Sequence, residues 1–349
     1  MKNFAINGLG RIGRLAFRVW FAKHRQELDL KVINTSGSMD LEGWVKLLKY
    51  DSTYGTFSDK ISFEQLKKVE ELKEGEIELG YIMVADHKIL VTAERDPAKI
   101  PWEKYGVYSV LEATGAFDKA KKAALHLKGG AKKVLLSAPG KEDPEGLIST
   151  GVISVNELDQ TKNIFSNASC TTNCVAPIVK IIEDNFGIEK AILTTIHSYT
   201  SDQNLHDNSH KKDLRRARAA AINLVPTSTG AAKATADIIP SLKNKFDGLA
   251  IRVPTPTVSL SDITFVLSKA SNLEEIKQVF IEAAKGKYKG IVAVSQEPLV
   301  SSDFIGCEYS AVVDLPLIQL IDGNLLKVVA WYDNEWGYSC RLMEQLSQI

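Results

Sequence analysis

A short apolar stretch, Lys-Asn-Phe-Ala-Ile at residues 2–6, runs straight into three glycines, Gly8, Gly10 and Gly13, and then into a helical run. A strand that must turn tightly and restart at once as a helix leaves few folds open. In a G-x-G-x-x-G turn the first glycine permits the bend, the second lets backbone approach a pyrophosphate, and the third lets the helix pack on the strand. The helix N-terminus then offers N–H groups and the positive end of its dipole to phosphate. Behind the turn, Ile12, Leu15, Ala16, Val19 and Trp20 share one helical face.

The same rhythm continues through the first half. "LKVIN", "KILVTAE", "SVLEATG" and "KVLLSAP" read as buried strands, "DLEGWVKLLKY" and "KAKKAALHLKG" as helices, the latter closed by Gly129. Alternating strands and helices predict a doubly wound parallel sheet with its loops gathered at the strand C-termini. The Glu/Lys-rich stretch from 63 to 80 reads as a solvated insertion. Beyond residue 170 the strands lengthen and become β-branched, as in "AILTTIHSYT", "DITFVLSK" and "LLKVVAWYD". They predict a large mixed or antiparallel sheet in an α+β catalytic domain. A helix capped by Asn272 and stopped by Gly286 lies among them, and the tail places Tyr338, Leu342, Leu346 and Ile349 on one docking stripe. The expected domains are 1–169 with 334–349, and 170–333.

Lys plus Arg number 43 and Asp plus Glu 43. That balance argues against a nucleic-acid or membrane-surface binder. The N-terminus has no signal-peptide core, no apolar run reaches membrane-spanning length, and four cysteines in 349 residues are no disulfide framework. A cytoplasmic protein with reduced thiols is expected.

Cys170 and Cys174 sit in "SNASCTTNC". Metal binding by the pair needs two further ligands that the sequence does not offer, so no metal is expected. A thiol opening a helix feels the positive dipole end, which lowers its pKa toward neutrality. That environment, with Ser169 and Thr171 around it as cap residues, is compatible with a nucleophile at Cys170 as well as with packing, and Cys174 reads as packing. Pro177 predicts a kink or an irregular first turn. His197 alone among six histidines ends a buried strand amid hydroxyls. His24, His87, His126 and His206 read as surface or packing residues.

The segments "INGLGRIGR", "KYDST", "AERDP", "EATGAF", "SNASCTTNC", "HSYTSDQ", "DLRRARAAA", "PTSTGAAKA", "RVPTPTVS" and "WYDNEWGYS", in order along the whole chain, resemble phosphorylating glyceraldehyde-3-phosphate dehydrogenases. The resemblance implies oxidation of glyceraldehyde 3-phosphate to 1,3-bisphosphoglycerate with reduction of NAD or NADP, in glycolysis or gluconeogenesis. Cys170 would form a thiohemiacetal and then a thioester, with His197 as base. It implies a substrate-phosphate site at Thr200, Asp202 and Arg252. A second site, for the attacking inorganic phosphate, falls on Ser169, Thr171, Arg216, Thr229 and Gly230. Cofactor contacts would be Arg11, Ile12, Arg95, Thr114, Ser137, Asn334 and Tyr338 besides the glycines, and His210 would help shape a cofactor-facing loop. Lys211, Lys212, Arg215 and Arg218 read as a solvated basic face.

Two departures bear on the cofactor. Thr35 stands where an acidic ribose ligand is expected, with Asp40 further along past a glycine turn. Ser209 stands where NAD-restricted members tend to carry Pro, in a loop that in the family reaches a neighbouring subunit. Both suggest NADP tolerance, and the second a homotetramer. The near rival is erythrose-4-phosphate dehydrogenase, in which water resolves the thioester. A cofactor-free cysteine hydrolase is disfavoured by the glycine turn, and a non-catalytic RNA-binding role by the charge balance.

Overall fold

The opening strand, β1 (Lys2–Asn7), is buried over its last four residues and stops at Gly8, whose φ is +99° in the computed structural model, which describes residues 1–349. Helix α1 (Arg11–Val19) follows and continues into a π-turn at Trp20–His24. Its expected face is in place: Leu15, Ala16, Val19 and Trp20 are buried, with Phe17 and Arg18 beside them. Next come β2 (Leu28–Thr35), α2 (Leu41–Lys49) and a small hairpin of β3 (Tyr50–Asp51) and β4 (Gly55–Thr56). The edge of the sheet is built by β5 (Ile61–Gln65), β6 (Glu78–Val84) and β7 (His87–Ala93). The other side holds β8 (Ser109–Glu112), helices α3 (Ala120–Ala123) and α4 (Leu125–Lys128), β9 (Lys133–Leu136), β10 (Ile148–Thr150) and β11 (Ile164–Ser166).

These strands form one sheet in the order β10-β11-β9-β8-β1-β2-β7-β6-β5. Every pair from β10 to β7 is parallel, and β6 and β5 close the edge antiparallel. The chain winds to one side from β1 to β2 and returns to the other through β8. The switch point, where such sheets hold ligands, is thus at the C-terminal ends of β1 and β8.

Two expectations are corrected here. The 63–80 stretch is more than a solvated insertion: its ends are β5 and β6, and Ile61, Ile77 and Leu79 are buried. Only the middle, around the 3-10 turn Val69–Glu71, projects. The expected helix at 119–129 is two short segments, α3 and α4, meeting at Ala124.

The second half begins with α5 (Cys170–Phe186) and β12 (Ile188–Ser198). After a long loop come β13 (Val225–Ser228), α6 (Ala231–Ile238), β14 (Phe246–Val253), β15 (Ser259–Leu267), α7 (Leu273–Lys285), β16 (Val292–Ser295), β17 (Ala311–Asp314), β18 (Gln319–Ile321) and β19 (Leu325–Tyr332). Their sheet runs β13-β14-β12-β15-β19-β17-β16, with β18 also on β19. It is mixed: β12 is parallel to β14 and β16 to β17, and the remaining pairs are antiparallel. Along β15 buried and half-buried residues alternate strictly, as a sheet with one covered face requires. Ile263 and Phe265 from that strand join Val175, Ile178 and Ile182 of α5 and Phe280 of α7 in one core.

Asn272 caps α7 by accepting the Glu275 N–H at 2.9 Å. Pro177 does not interrupt α5, which runs as one helix from Cys170 through Phe186. The proline costs one backbone bond, and burial of most of the surrounding helix holds the run together. The last helix is α8 (Trp336–Gln348), and Tyr338, Leu342, Leu346 and Ile349 are all buried. The chain divides into two compact units, Met1–Gly151 with Leu158–Ala168 and Ser339–Ile349, and Val152–Glu157 with Ser169–Tyr338.

Candidate active site

Ser169 is extended and its Oγ accepts the Thr172 N–H at 3.1 Å, which makes it the N-cap and Cys170 the first residue of α5. His197 arrives from β12, in register with Arg252 of the parallel strand β14. The thiol and the imidazole meet with Cys170 Sγ 3.5 Å from His197 Nε2. On the other side of the ring, Nδ1 lies 2.7 Å from the Ser198 carbonyl oxygen. Arg252 Nη1 donates to that same carbonyl at 3.0 Å and lies 2.9 Å from Nδ1. The carbonyl can only accept and the guanidinium can only donate, so the two hold the imidazole in place from one side while its Nε2 faces the sulfur.

Charge and burial act on this pair together. Burial and the neighbouring Arg252 cation push His197 down to about 3, against the Ser198 hydrogen bond, which favours the neutral ring. Cys170 corrects an expectation. Burial raises its pKa, and this outweighs the Arg252 charge, the Thr171 hydroxyl and the backbone N–H groups at the helix mouth, all of which pull it down. Cys174 is buried, and burial raises its thiol to about 12, an inert packing residue. No cluster of three His, Cys, Asp or Glu side chains is placed to hold a metal ion.

Around the pair stand fixed polar groups. Thr171 Oγ1 lies 3.0 Å from the Tyr332 hydroxyl, which also meets Thr195 Oγ1 at 2.9 Å. Arg252 Nη1 reaches Thr200 Oγ1 at 3.4 Å, while its Nε is buried without a partner. Arg216 is held by Asp202, by Thr227 Oγ1 at 2.9 Å and by the Ser228 carbonyl at 3.3 Å. Although burial opposes it, the Arg216 bond holds the Asp202 carboxyl below the usual carboxylate range. Asp213 accepts the Arg215 and Arg216 N–H groups and the Thr227 hydroxyl. Thr229 Oγ1 accepts the Ala231 N–H at 3.2 Å, and Gly230 opens α6.

His210 braces the loop, its Nδ1 accepting the Lys212 and Asp213 N–H groups and its Nε2 lying 3.5 Å from Asp202. Ser209 is exposed, Lys211, Lys212 and Arg215 are exposed, and Arg218 pairs with Asp207. Asn334 Oδ1 accepts from the Ser198 and Ser259 hydroxyls, each at 2.9 Å, which leaves the amide nitrogen as its remaining polar group. Tyr338 is buried.

In the parallel-sheet unit the glycines fit a dinucleotide. A Cβ on Gly13 would sit 1.9 Å from the Gly8 oxygen, and one on Gly8 2.7 Å from Thr114 Cγ2. A Cβ on Gly10 would meet nothing within 4 Å, so that backbone is open to a ligand. The first turn of α1 leaves N–H groups that no carbonyl of the helix can take. Arg11 and Ile12 begin that turn, with Arg11 paired to Asp51 at 2.6 Å.

Thr114 donates its N–H to Glu112 at 2.7 Å, and Ser137 donates its own to the Glu112 carbonyl at 3.0 Å. Arg95 Nε donates to the Ser36 carbonyl at 3.2 Å. Thr35 corrects a further expectation. It is 2 % exposed and its hydroxyl donates to the Thr92 carbonyl at 3.1 Å, so that hydrogen is committed to the sheet.

Sequence reasoning missed two sets of residues. Glu112 is buried and gathers Asn7 at 2.5 Å, His126 Nε2 at 2.9 Å and Thr114 under the glycine turn. A lone acid ending an apolar strand was the available signal. Tyr332 was invisible in its role, because its threonine partners come from α5 and β12.

A model described as the glyceraldehyde 3-phosphate dehydrogenase NAD binding domain matches residues 2–120, and the C-terminal domain model of the same family matches residues 169–334. The glyceraldehyde-3-phosphate dehydrogenase of Zymomonas mobilis is 47 % identical over 349 residues, covering 99 % of this chain and 97 % of that protein. Chloroplastic glyceraldehyde-3-phosphate dehydrogenase A of Chlamydomonas reinhardtii is 46 % identical over 342 residues, 97 % of this chain and 86 % of its own. Glyceraldehyde-3-phosphate dehydrogenase 1 of Bacillus cereus is 45 % identical over 347 residues, 99 % and 97 % of the two chains. With an oriented cysteine–histidine pair, a dinucleotide turn and relatives of near-equal length, the chain belongs to the glyceraldehyde-3-phosphate dehydrogenase family, and it is an enzyme that oxidises glyceraldehyde 3-phosphate.

Proposed function

We propose that Cys170 is the nucleophile and His197 the base of this oxidation, and that inorganic phosphate resolves the intermediate. The observation that carries the reading is the 3.5 Å approach of the Cys170 sulfur to Nε2 of the His197 imidazole. As the S–C bond forms, the carbonyl π pair moves onto oxygen, and the thiol proton passes to His197 Nε2 and from there to that oxygen, which becomes the thiohemiacetal hydroxyl. While that oxygen carries negative charge, before the proton reaches it, the Cys170 backbone N–H and the protonated Nε2 stabilise it. Bound NAD or NADP supplies the hydride acceptor. His197 takes the hydroxyl proton as the carbon–hydrogen electron pair departs, and a Cys170 thioester remains. Phosphate attacks its carbonyl, the thiolate leaves, and 1,3-bisphosphoglycerate is released.

Thr200 and Arg252 are the proposed grip on the substrate phosphate, with Asp202 acting through Arg216. Ser169, Thr171, Thr229, Gly230 and Arg216 are the proposed seat of the attacking phosphate. A planar guanidinium meets two phosphate oxygens at once, which suits both arginines. Gly8, Gly10, Arg11, Ile12, Gly13, Arg95, Thr114 and Ser137 are the proposed cofactor contacts, joined by Asn334 and Tyr338 at the nicotinamide. NADP is proposed to be accepted beside NAD, on the strength of the missing carboxylate at position 35 and of Ser209. Four free cysteines suit a reducing compartment, and we place the enzyme in the cytoplasm as a homotetramer.

The test is reduced-cofactor absorbance with glyceraldehyde 3-phosphate, with and without phosphate. Turnover depends on phosphate, and Cys170→Ser loses on the order of 10³ in kcat, since a hydroxyl is scarcely ionised at neutral pH. Equal turnover without phosphate would refute the acyl-transfer step.

A further inference from the structure

The stretch from Thr35 to Leu41, between β2 and α2, contains one carboxylate, Asp40. Its Oδ1 accepts the backbone N–H of Val69 at 2.7 Å. Val69 opens the 3-10 turn that projects between β5 and β6. A Cβ on Gly37 would lie 3.6 Å from Val69 Cγ1, so Val69 stands against the loop at the end of β2. The turn is braced on its own account. Glu71 accepts the Lys68 N–H at 2.7 Å, Lys67 pairs with Glu76 at 2.6 Å, and the Leu66 N–H bonds the Leu79 carbonyl at 2.9 Å.

A carboxylate in this loop is what a dinucleotide site uses to accept from the ribose 2′-hydroxyl, and what repels a 2′-phosphate. We propose that the projecting turn at 66–77 sets cofactor selectivity: the Val69 N–H holds Asp40 and withholds the loop's only carboxylate from the adenosine ribose. The inference rests on the dinucleotide reading of the glycine turn given above. With Asp40 held, the polar side chains at the loop are Ser36 and Ser38, whose hydroxyls lie 3.1 Å apart, and Arg95, fixed on the Ser36 carbonyl. These can donate to a phosphate and none repels it. The segment that reads as a charged, solvated insertion thereby acquires a role at the cofactor end of the sheet.

Val69→Pro tests the strap with little else disturbed. It removes the N–H, proline suits the first position of a helical turn, and Lys68 already has the ψ of 160° that a residue before proline adopts. Dissociation constants for NAD and NADP are measured by calorimetry on the full chain. In V69P the ratio of the NADP to the NAD constant rises at least about tenfold, because a freed carboxylate faces the 2′-phosphate. In the double variant D40N/V69P it returns to within about twofold of wild type, since no negative charge remains to be freed. Asp40→Ala alone leaves the ratio within about twofold, and this variant decides the matter should V69P not fold. An unchanged ratio in folded V69P, or a selective loss of NAD affinity in D40A, overturns the proposal. A wild-type chain that binds neither dinucleotide removes the reading of the glycine turn and the inference with it, and is told apart from the other outcomes by its flat titrations.

Discussion

At the residue scale the proposed chemistry turns on one cation beside a cysteine and a histidine. Arg252 stands beside His197 and pulls the Cys170 thiol toward ionisation against its burial. Arg252→Gln should therefore slow alkylation of Cys170 by iodoacetamide at pH 7.5 several-fold, and an unchanged rate would mean that the guanidinium does not act on the sulfur. His197 carries the opposite signature. Its folded pKa, about 3, lies below its ordinary value, so protons bind more readily to the unfolded chain. The stability this provides is whole above about pH 6.5 and is lost as pH falls toward the folded value. Melting temperature should fall between pH 6.5 and 4.5, and His197→Asn should flatten part of that slope while lowering kcat by about 10²–10⁴. A variant with the wild-type slope would show that another group carries the acid sensitivity.

At the element scale the glycine turn separates packing from binding. Gly13→Ala forces a methyl to within 1.9 Å of backbone oxygen, and should cost about 1–3 kcal/mol of stability. Gly10→Ala meets nothing, so its melting temperature should stay near wild type while dinucleotide affinity falls. Thermal melts and cofactor titration of the two variants check this, and equal loss of stability in both would refute the division of labour. This turn was the most legible part of the chain, because strand, turn and helix follow one another within about twenty residues and their periods are local. The 61–84 edge was misread for the converse reason. Its few buried residues, Ile61, Ile77 and Leu79, are diluted by charges, and only pairing with β7 makes them core. Cys170 and His197 stood out through the residues flanking them. Tyr332 did not, since its link to Thr171 and Thr195 depends on the strand order β12-β15-β19, which no local pattern encodes. Thr35 was found by position, yet which way its hydroxyl points is decided by the neighbouring strand.

At the scale of the whole molecule one loop bears on how many chains act together. The long loop between β12 and β13 leaves Leu205, Leu214, Ile222 and Leu224 exposed by 72 %, 85 %, 81 % and 69 %. Four large aliphatic side chains exposed within twenty residues mark a surface that gains by being covered, at about 25 cal/mol per Å² removed from water. A chain of zero formal net charge has no long-range self-repulsion to oppose that contact. Sedimentation equilibrium at micromolar concentration should give about four times the 38.4 kDa chain mass. The value should hold between low and high salt, since the contact is apolar and not an ion-pair network. Leu214→Asp with Ile222→Asp should lower the mass, because each would bury an unpaired carboxylate at the seam. A wild-type mass of one chain would sink the tetramer. A mass that fell only with rising salt would shift the contact from these aliphatics to the basic run at 211–218 beside them.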